Sequence, residues 1–216
     1  CKKNRYGSTD NSGIFEMKET GLEPLPEHAQ SFVEHAHQGV PGSVVVPYAE
    51  GNRIILVEVQ ALVVQSGYGM GKRNFVGVNS NRAHLLIAAL DKLFSLKLSS
   101  YDIFLKIIGG LSVTDPSIDL AIMVAIISSL RHVCVKPRWA VCGEVGLTGE
   151  IRQISYVDKR LKELKKHGYQ GCFIPQKNSS VQTSSDFSIS HVSEIKDVFR
   201  DIFEVQHETN EAIPAA

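Results

Sequence analysis

The stretch Leu120–Leu130 constrains this chain most. It is the most apolar run in the sequence, eleven residues of which two are serine. A bilayer span needs roughly 20 apolar residues, so this run is too short to cross a membrane. Asp115 and Pro116 precede it, an N-cap residue followed by a proline at the first helical position. The run therefore reads as an apolar helix ending near Leu130. With 216 residues, 43% hydrophobic and 21% charged, the chain can build one domain with a proper core, or one domain plus an appendage. Such a composition belongs to a soluble globular protein.

Charge excludes a further class. Lys plus Arg number 23 and Asp plus Glu number 23. A strongly basic nucleic-acid module is ruled out, but local patches are not. Residues 52–106 carry seven basic and three acidic side chains, and residues 131–177 carry ten and four. Residues 1–38 carry four and six, and residues 183–216 two and seven. These are either solvated faces or a basic body, with acidic ends, that faces a polyanion. The four cysteines form no CxxC pair, so reduced cytoplasmic thiols are expected rather than disulfides or structural zinc. The basic start, Cys1 to Arg5, is followed by no apolar segment, so it does not read as a signal peptide, and a first residue other than Met suggests a fragment.

Along the chain, 1–13 reads as loop, Gly13–Met17 as a short strand and Glu27–Ala36 as a short helix. Gln38 to Gly42 is the preferred domain joint. Ser43–Val46 and Arg53–Val64 read as a hairpin with a longer loop. Ser80–Leu96 has helical periodicity, and Tyr101–Ile108 and Trp139–Val145 read as strands. Ser155 is placed as the N-cap of a helix that Gly168 ends, and Ser193 as the cap of a last helix. Short strands are expected at Gly171–Pro175 and Phe187–Val192. The whole predicts an α+β or mixed α/β body, and the chain after about Val205 is an acidic, frayed tail.

Three motifs invite chemistry. Gly67 to Lys72 is glycine-rich, but a phosphate loop needs a glycine five positions before Gly71 and Ser or Thr after Lys72. Ser66 and Arg73 stand there instead. The segment reads as a flexible hairpin tip presenting Lys72 and Arg73, able to touch phosphates without reading sequence. His28, His35 and His37 match no metal-ligand spacing. Ser117 lies in the first turn of the apolar helix, where free backbone N–H groups suit an oxyanion. It is either an ordinary helix-start serine or a nucleophile, which would need a lysine base.

Lys3-Asn4-Arg5-Tyr6-Gly7, Glu50-Gly51, Asn81-Arg82, Gly109-Gly110, Asp119-Leu120-Ala121 and the run Gly143 to Arg152 resemble the bacterial RadA (Sms) family over residues 2–203. That resemblance implies the end of a RecA-like ATPase over 1–38, a Lon-protease-like domain (ribosomal protein S5 domain 2-like) over 39–205 and an acidic tail over 206–216. Lys3 and Arg5 would act on a neighbour's ATP or couple ATP state to DNA, with Asn4, Tyr6 and Gly7 holding their loop. ATP with magnesium, and a structural zinc, are implied for an absent N-terminal part and not for this chain. Against the Lon pattern, Ser117 matches the nucleophile, but Asp158 stands where the lysine base belongs. The resemblance thus implies a vestigial Ser117 and Asp158, no enzyme in this chain alone, and a ring-shaped homo-oligomer, a hexamer. Single-stranded or branched DNA and a RecA-type recombinase are the expected partners, with no membrane. DNA-lining candidates are Lys72, Arg73, Arg82, Arg152, Lys159 and Arg160. Two other readings stay open: an active peptidase using Ser117 with Lys159 or Lys162, and a pure oligomerisation scaffold.

Overall fold

The computed structural model describes residues 15–18, 21–24, 39–67, 69, 71–178 and 186–203. The Lys3–Gly7 pentad, the expected helix at 27–36, the three histidines discussed above and the acidic tail lie outside the described residues. The architecture is mixed α/β. Strands β1 (Phe15–Lys18) and β2 (Gly21–Pro24) pair with each other. A seven-stranded sheet then runs in the order β11-β10-β7-β3-β4-β6-β5. Its strands are β3 (Ser43–Glu50), β4 (Arg53–Gln65), β5 (Arg73–Val76), β6 (Tyr101–Ile107), β7 (Trp139–Val141), β10 (Gly171–Pro175) and β11 (Ser188–Val192). Pairing is antiparallel only at β3–β4 and β4–β6 and parallel elsewhere.

The expected hairpin is present but tighter. β3 continues to Glu50, which pairs with Arg53 across Gly51 and Asn52. Pro47 interrupted the sequence reading of this strand because proline donates no ladder hydrogen bond. Its carbonyl accepts from the Arg160 side chain rather than from a strand. A residue's N–H and C=O leave a strand on the same side, so the missing donor faces that side chain and costs the ladder nothing.

Four helices complete the body: α1 (Ser80–Phe94), α2 (Asp119–Arg131), α3 (Val157–Lys166) and α4 (Ile195–Asp201). Helix α2 is buried from Asp119 through Ser128 and packs on β3, β4 and α1. That burial is what its apolar sequence requires. Among the described residues no helix is long and apolar enough to cross a membrane. Two caps differ from expectation. Tyr156, in the left-handed region, precedes α3, and Glu194 precedes α4; neither uses a side-chain cap. Ser155 instead offers its carbonyl to Arg160. The expected strand from Trp139 to Val145 is broken at Gly143. Its second part, β8 (Glu144–Val145), turns away to pair with β9 (Ile151–Arg152).

Gly42 joins α2 to the sheet. Its N–H donates to the Ser128 hydroxyl at 2.8 Å and its carbonyl accepts from Ala61 at 2.8 Å. With φ at 88°, a Cβ here would sit 2.3 Å from the Ala61 carbonyl oxygen. Strained backbone of this kind costs of order 1–3 kcal/mol, and the clash adds to it. Gly42→Ala is expected to lose at least about 2 kcal/mol of stability, read as a lowered urea midpoint at unchanged slope.

Candidate functional site

The start of α2 gathers the polar groups of an otherwise apolar core. Asp115 caps the short 3-10 turn Pro116–Ile118, and its Oδ1 accepts from the Ser117 N–H at 3.0 Å. Ser117 is fully buried. The nearby amides are already engaged. Ile118 N–H donates to the Asp115 carbonyl, Asp119 N–H to the Pro116 carbonyl and Leu120 N–H to the Gly143 carbonyl. The donors expected to welcome an oxyanion are therefore spent within the chain.

Ser117 Oγ accepts a hydrogen bond from Arg160 Nη1 at 2.9 Å. Arg160 is 1% exposed. Its Nη2 meets Asp115 Oδ2 at 2.5 Å, its Nε donates to the Ser155 carbonyl at 2.8 Å, and Nη1 also reaches the Pro47 carbonyl. Asp115 Oδ2 accepts from Ala49 N–H as well, at 3.2 Å. Burying a guanidinium costs several kcal/mol unless it is paired and its donors are met; here both conditions hold. Burial works to raise the Asp115 carboxyl, but the Ser117 N–H and the Arg160 guanidinium outweigh it and hold the group below the usual carboxylate range.

This geometry changes the sequence reading of the site. On α3 the inward face is Val157, Arg160, Leu161 and Leu164, the i, i+3, i+4, i+7 pattern of a 3.6-residue period. Asp158 lies outside that face and is exposed. The group that meets Ser117 is Arg160, not the carboxylate. Arg160 is correspondingly withdrawn from any DNA-lining surface. Lys159 and Lys162 are both exposed, and Lys159 Nζ reaches Asn52 Oδ1 at 2.8 Å. A nucleophilic serine needs a neighbour that takes its proton. An arginine, always protonated in proteins, does not.

The remaining basic candidates scatter. Arg82 forms a two-pronged pair with Asp119, Nη2 to Oδ2 at 3.0 Å. Asp119 is 2% exposed and also accepts from Val145 N–H at 3.3 Å. Burial pushes its carboxyl up against the pull of Arg82, while the same hydrogen bond pushes Arg82 up. Arg152 pairs on the surface with Glu150, whose carboxyl is lowered to about 2 by the Thr148 hydroxyl and by Arg152. Arg73 folds back onto the carbonyls of Tyr101 and Leu98, the latter at 2.6 Å. The glycine-rich segment is thus no hairpin tip. It links β4 to the edge strand β5, which runs parallel to β6. Gly71 N–H donates to Ser99 and Lys72 N–H to Asp102 Oδ1 at 2.6 Å, so these amides do not fit a nucleotide phosphate. The Lys72 side chain stays exposed. Among the described residues no group of three or more His, Cys, Asp or Glu could hold a metal ion.

A second feature lies on the sheet. The register sets Phe104 between Leu62 and Asn74, and Lys106 between Gln60 and Val76. Alternation puts these side chains on the face away from the buried Ala61, Ile103 and Leu105. Leu62 is 57% exposed, Val76 51% and Val64 47%. Leu62 and Val76, with Val40 and Pro41, border a groove of about 510 Å³.

Comparison with known proteins supplies the lineage. DNA repair protein RadA of Halalkalibacterium halodurans is 42% identical over 196 residues, 90% of this chain and 43% of that protein. RadA of Bacillus subtilis is 43% identical over 176 residues, covering 82% of this chain and 38% of its own. RadA of Streptococcus pneumoniae is 39% identical over 202 residues, or 93% and 48%. This chain belongs to the RadA family. It spans less than half the length of each of these relatives. The family model for subunit ChlI of Mg-chelatase matches residues 89–178. Together, the ChlI and RadA matches correct the expectation of a chain that is no enzyme by itself. They point to an ATPase-type family. The RadA relatives support a role in DNA repair.

Proposed function

We propose that this chain is the assembly part of a RadA-type DNA repair protein, built on a Lon-like fold whose serine site has been closed. The observation that carries the assembly role is the apolar face of β4, β6 and β5. Three of the exposed large apolar residues, Val40, Leu62 and Val76, line its groove. A contiguous exposed apolar face rimmed by polar groups marks an interaction site. A formal net charge of zero sets up no long-range repulsion against a second copy. Packing this face onto a different face of the neighbour gives a head-to-tail contact, the kind that closes into rings such as a hexamer.

Closure of the serine site supports the same reading. The buried arginine ties α3 to the start of α2 and to β3, where a peptidase would keep a base and an open cleft. In the whole protein, ATP-driven movement on single-stranded or branched DNA beside a RecA-type recombinase in the cytoplasm is the function this part would serve. Lys72, Arg152 and Lys159 are its exposed basic candidates for DNA contact. Sedimentation velocity on the chain tests assembly. A ring-sized species that grows with concentration is expected; a monomer at every concentration overturns the proposal.

A further inference from the structure

The densest basic segment of the chain, residues 131–177, is only partly absorbed by the site above. Arg160 is buried and Arg152 is paired, but Lys136, Arg138, Lys165 and Lys166 are not in the core. Two of them, Lys136 and Arg138, share one tip. The tip Lys136–Trp139 leads into β7, and the Arg138 carbonyl accepts from Gln170 N–H at 2.8 Å and from Gly171 N–H at 3.4 Å. Those residues follow the glycine turn that ends α3, whose last turn carries Lys165 and Lys166, and Lys165 Nζ lies 5.2 Å from the centroid of Phe187. Arg138 itself is exposed, with φ at 55°. A residue with a Cβ adopts this left-handed conformation only where its surroundings hold it there. Here the Gln170 and Gly171 amides, at the start of β10, hold its carbonyl.

At the centre is an aromatic ring. Lys136 Nζ lies 5.5 Å from the centroid of Trp139. The indole covers Gly171, where any Cβ would come within 2.6 Å of the ring, and it packs against Phe173 with centroids 5.1 Å apart. Its remaining surface is partly exposed. Asp201 pairs with Arg200 at 3.1 Å and 3.2 Å, and Arg200 together with Lys136 keeps its carboxyl low.

We propose that this tip is a contact for a single-stranded polynucleotide, with Lys136 and Arg138 on successive phosphates and a base against the Trp139 indole. Basic groups that follow a backbone, beside an aromatic platform, are the chemistry that binds single strands without reading sequence. The proposal rests on the DNA reading given above, yet it uses none of the residues that reading names.

Trp139 is the only tryptophan in the chain, so its emission reports on this surface alone. The experiment titrates the chain with a 20-nucleotide oligo(dT), following both anisotropy of the labelled strand and tryptophan emission. A parallel titration uses inorganic polyphosphate of matched charge. Quenching that tracks anisotropy is expected. Lys136→Ala with Arg138→Ala should weaken binding about tenfold at low salt and reduce the slope of log K against log salt by about 1.4, since single strands give about 0.7 per phosphate. Trp139→Phe should keep most of the anisotropy change and thermal melting should show the variants folded. Anisotropy rising with unchanged emission, and no effect of the double variant, sinks this surface while leaving DNA binding intact. No binding at any salt sinks both. Equal binding and quenching by polyphosphate contradicts base stacking and with it the proposal.

Discussion

Arg160→Met is expected to lower the stability of the fold by about 3–5 kcal/mol, the usual cost of breaking a buried ion pair by removing one partner. In a protein of this size that is a fall in Tm of roughly 10 °C. The substitution keeps an unbranched side chain in a space of similar length, so the loss is electrostatic more than steric. It strips Asp115 of its guanidinium, the Pro47 and Ser155 carbonyls of their donor and Ser117 Oγ of its partner. Asp115 keeps the Ser117 and Ala49 amides and 15% exposure, which places the loss toward the lower end.

The effect depends on pH with a definite sign. The Asp115 carboxyl is held below its ordinary value in the fold. Its contribution is therefore full above the unfolded carboxylate range, near 3.9, and is lost as pH falls through the lower folded value. Wild type should lose stability on acidification through that window. Arg160→Met should lose less there, because much of what acid removes is already gone. Urea midpoints from pH 7 down to pH 2 measure both.

The second large effect concerns assembly and leaves the fold alone. Leu62→Glu with Val76→Glu should convert the assembled species to monomer. Each apolar side chain removed from an interface forfeits up to about 1.5–3 kcal/mol, and a buried carboxylate without a partner adds more. Together they weaken association by at least about a hundredfold at 1.4 kcal/mol per tenfold. Both positions are more than half exposed in the single chain, where surface substitutions stay within about 0.5 kcal/mol. A variant that still assembles, or one that unfolds, contradicts the assignment of this face.

Much of the fold was legible because periodicity reports burial. The apolar run of α2, the α1 stripe and the β3–β4 hairpin could all be read from spacing. Gly168, with φ at 75°, ends α3 as its type suggests. The breaks were less legible because they depend on distant partners. Pro47 stays in a strand because an arginine more than a hundred residues away takes its carbonyl. Trp139–Val145 looks like one strand, yet Gly143 bonds the Ser117 carbonyl at 2.9 Å and the chain leaves the sheet.

The site was half legible. Ser117 and Asp115 could be singled out by their place at a helix start. The base position could not, because counting from a family pattern leads to Asp158 while the helix phase selects Arg160. The signal was present in the sequence: Val157, Arg160, Leu161 and Leu164 form an apolar stripe interrupted by one arginine. A charge on the buried stripe of a helix calls for a buried partner, and Asp115 is that partner. The basic tip before β7 was overlooked for a different reason. Its residues are unremarkable in sequence and acquire meaning only when the Gln170 and Gly171 amides bond the Arg138 carbonyl.

The most direct measurement is active-site labelling of the intact chain with a fluorophosphonate, read by peptide mass spectrometry. With its hydroxyl buried and bonded to a protonated guanidinium, Ser117 is expected to carry no adduct, before or after prolonged incubation at neutral pH. An adduct on Ser117 that disappears in Ser117→Ala and in heat-unfolded protein would show an armed serine and contradict the closed site.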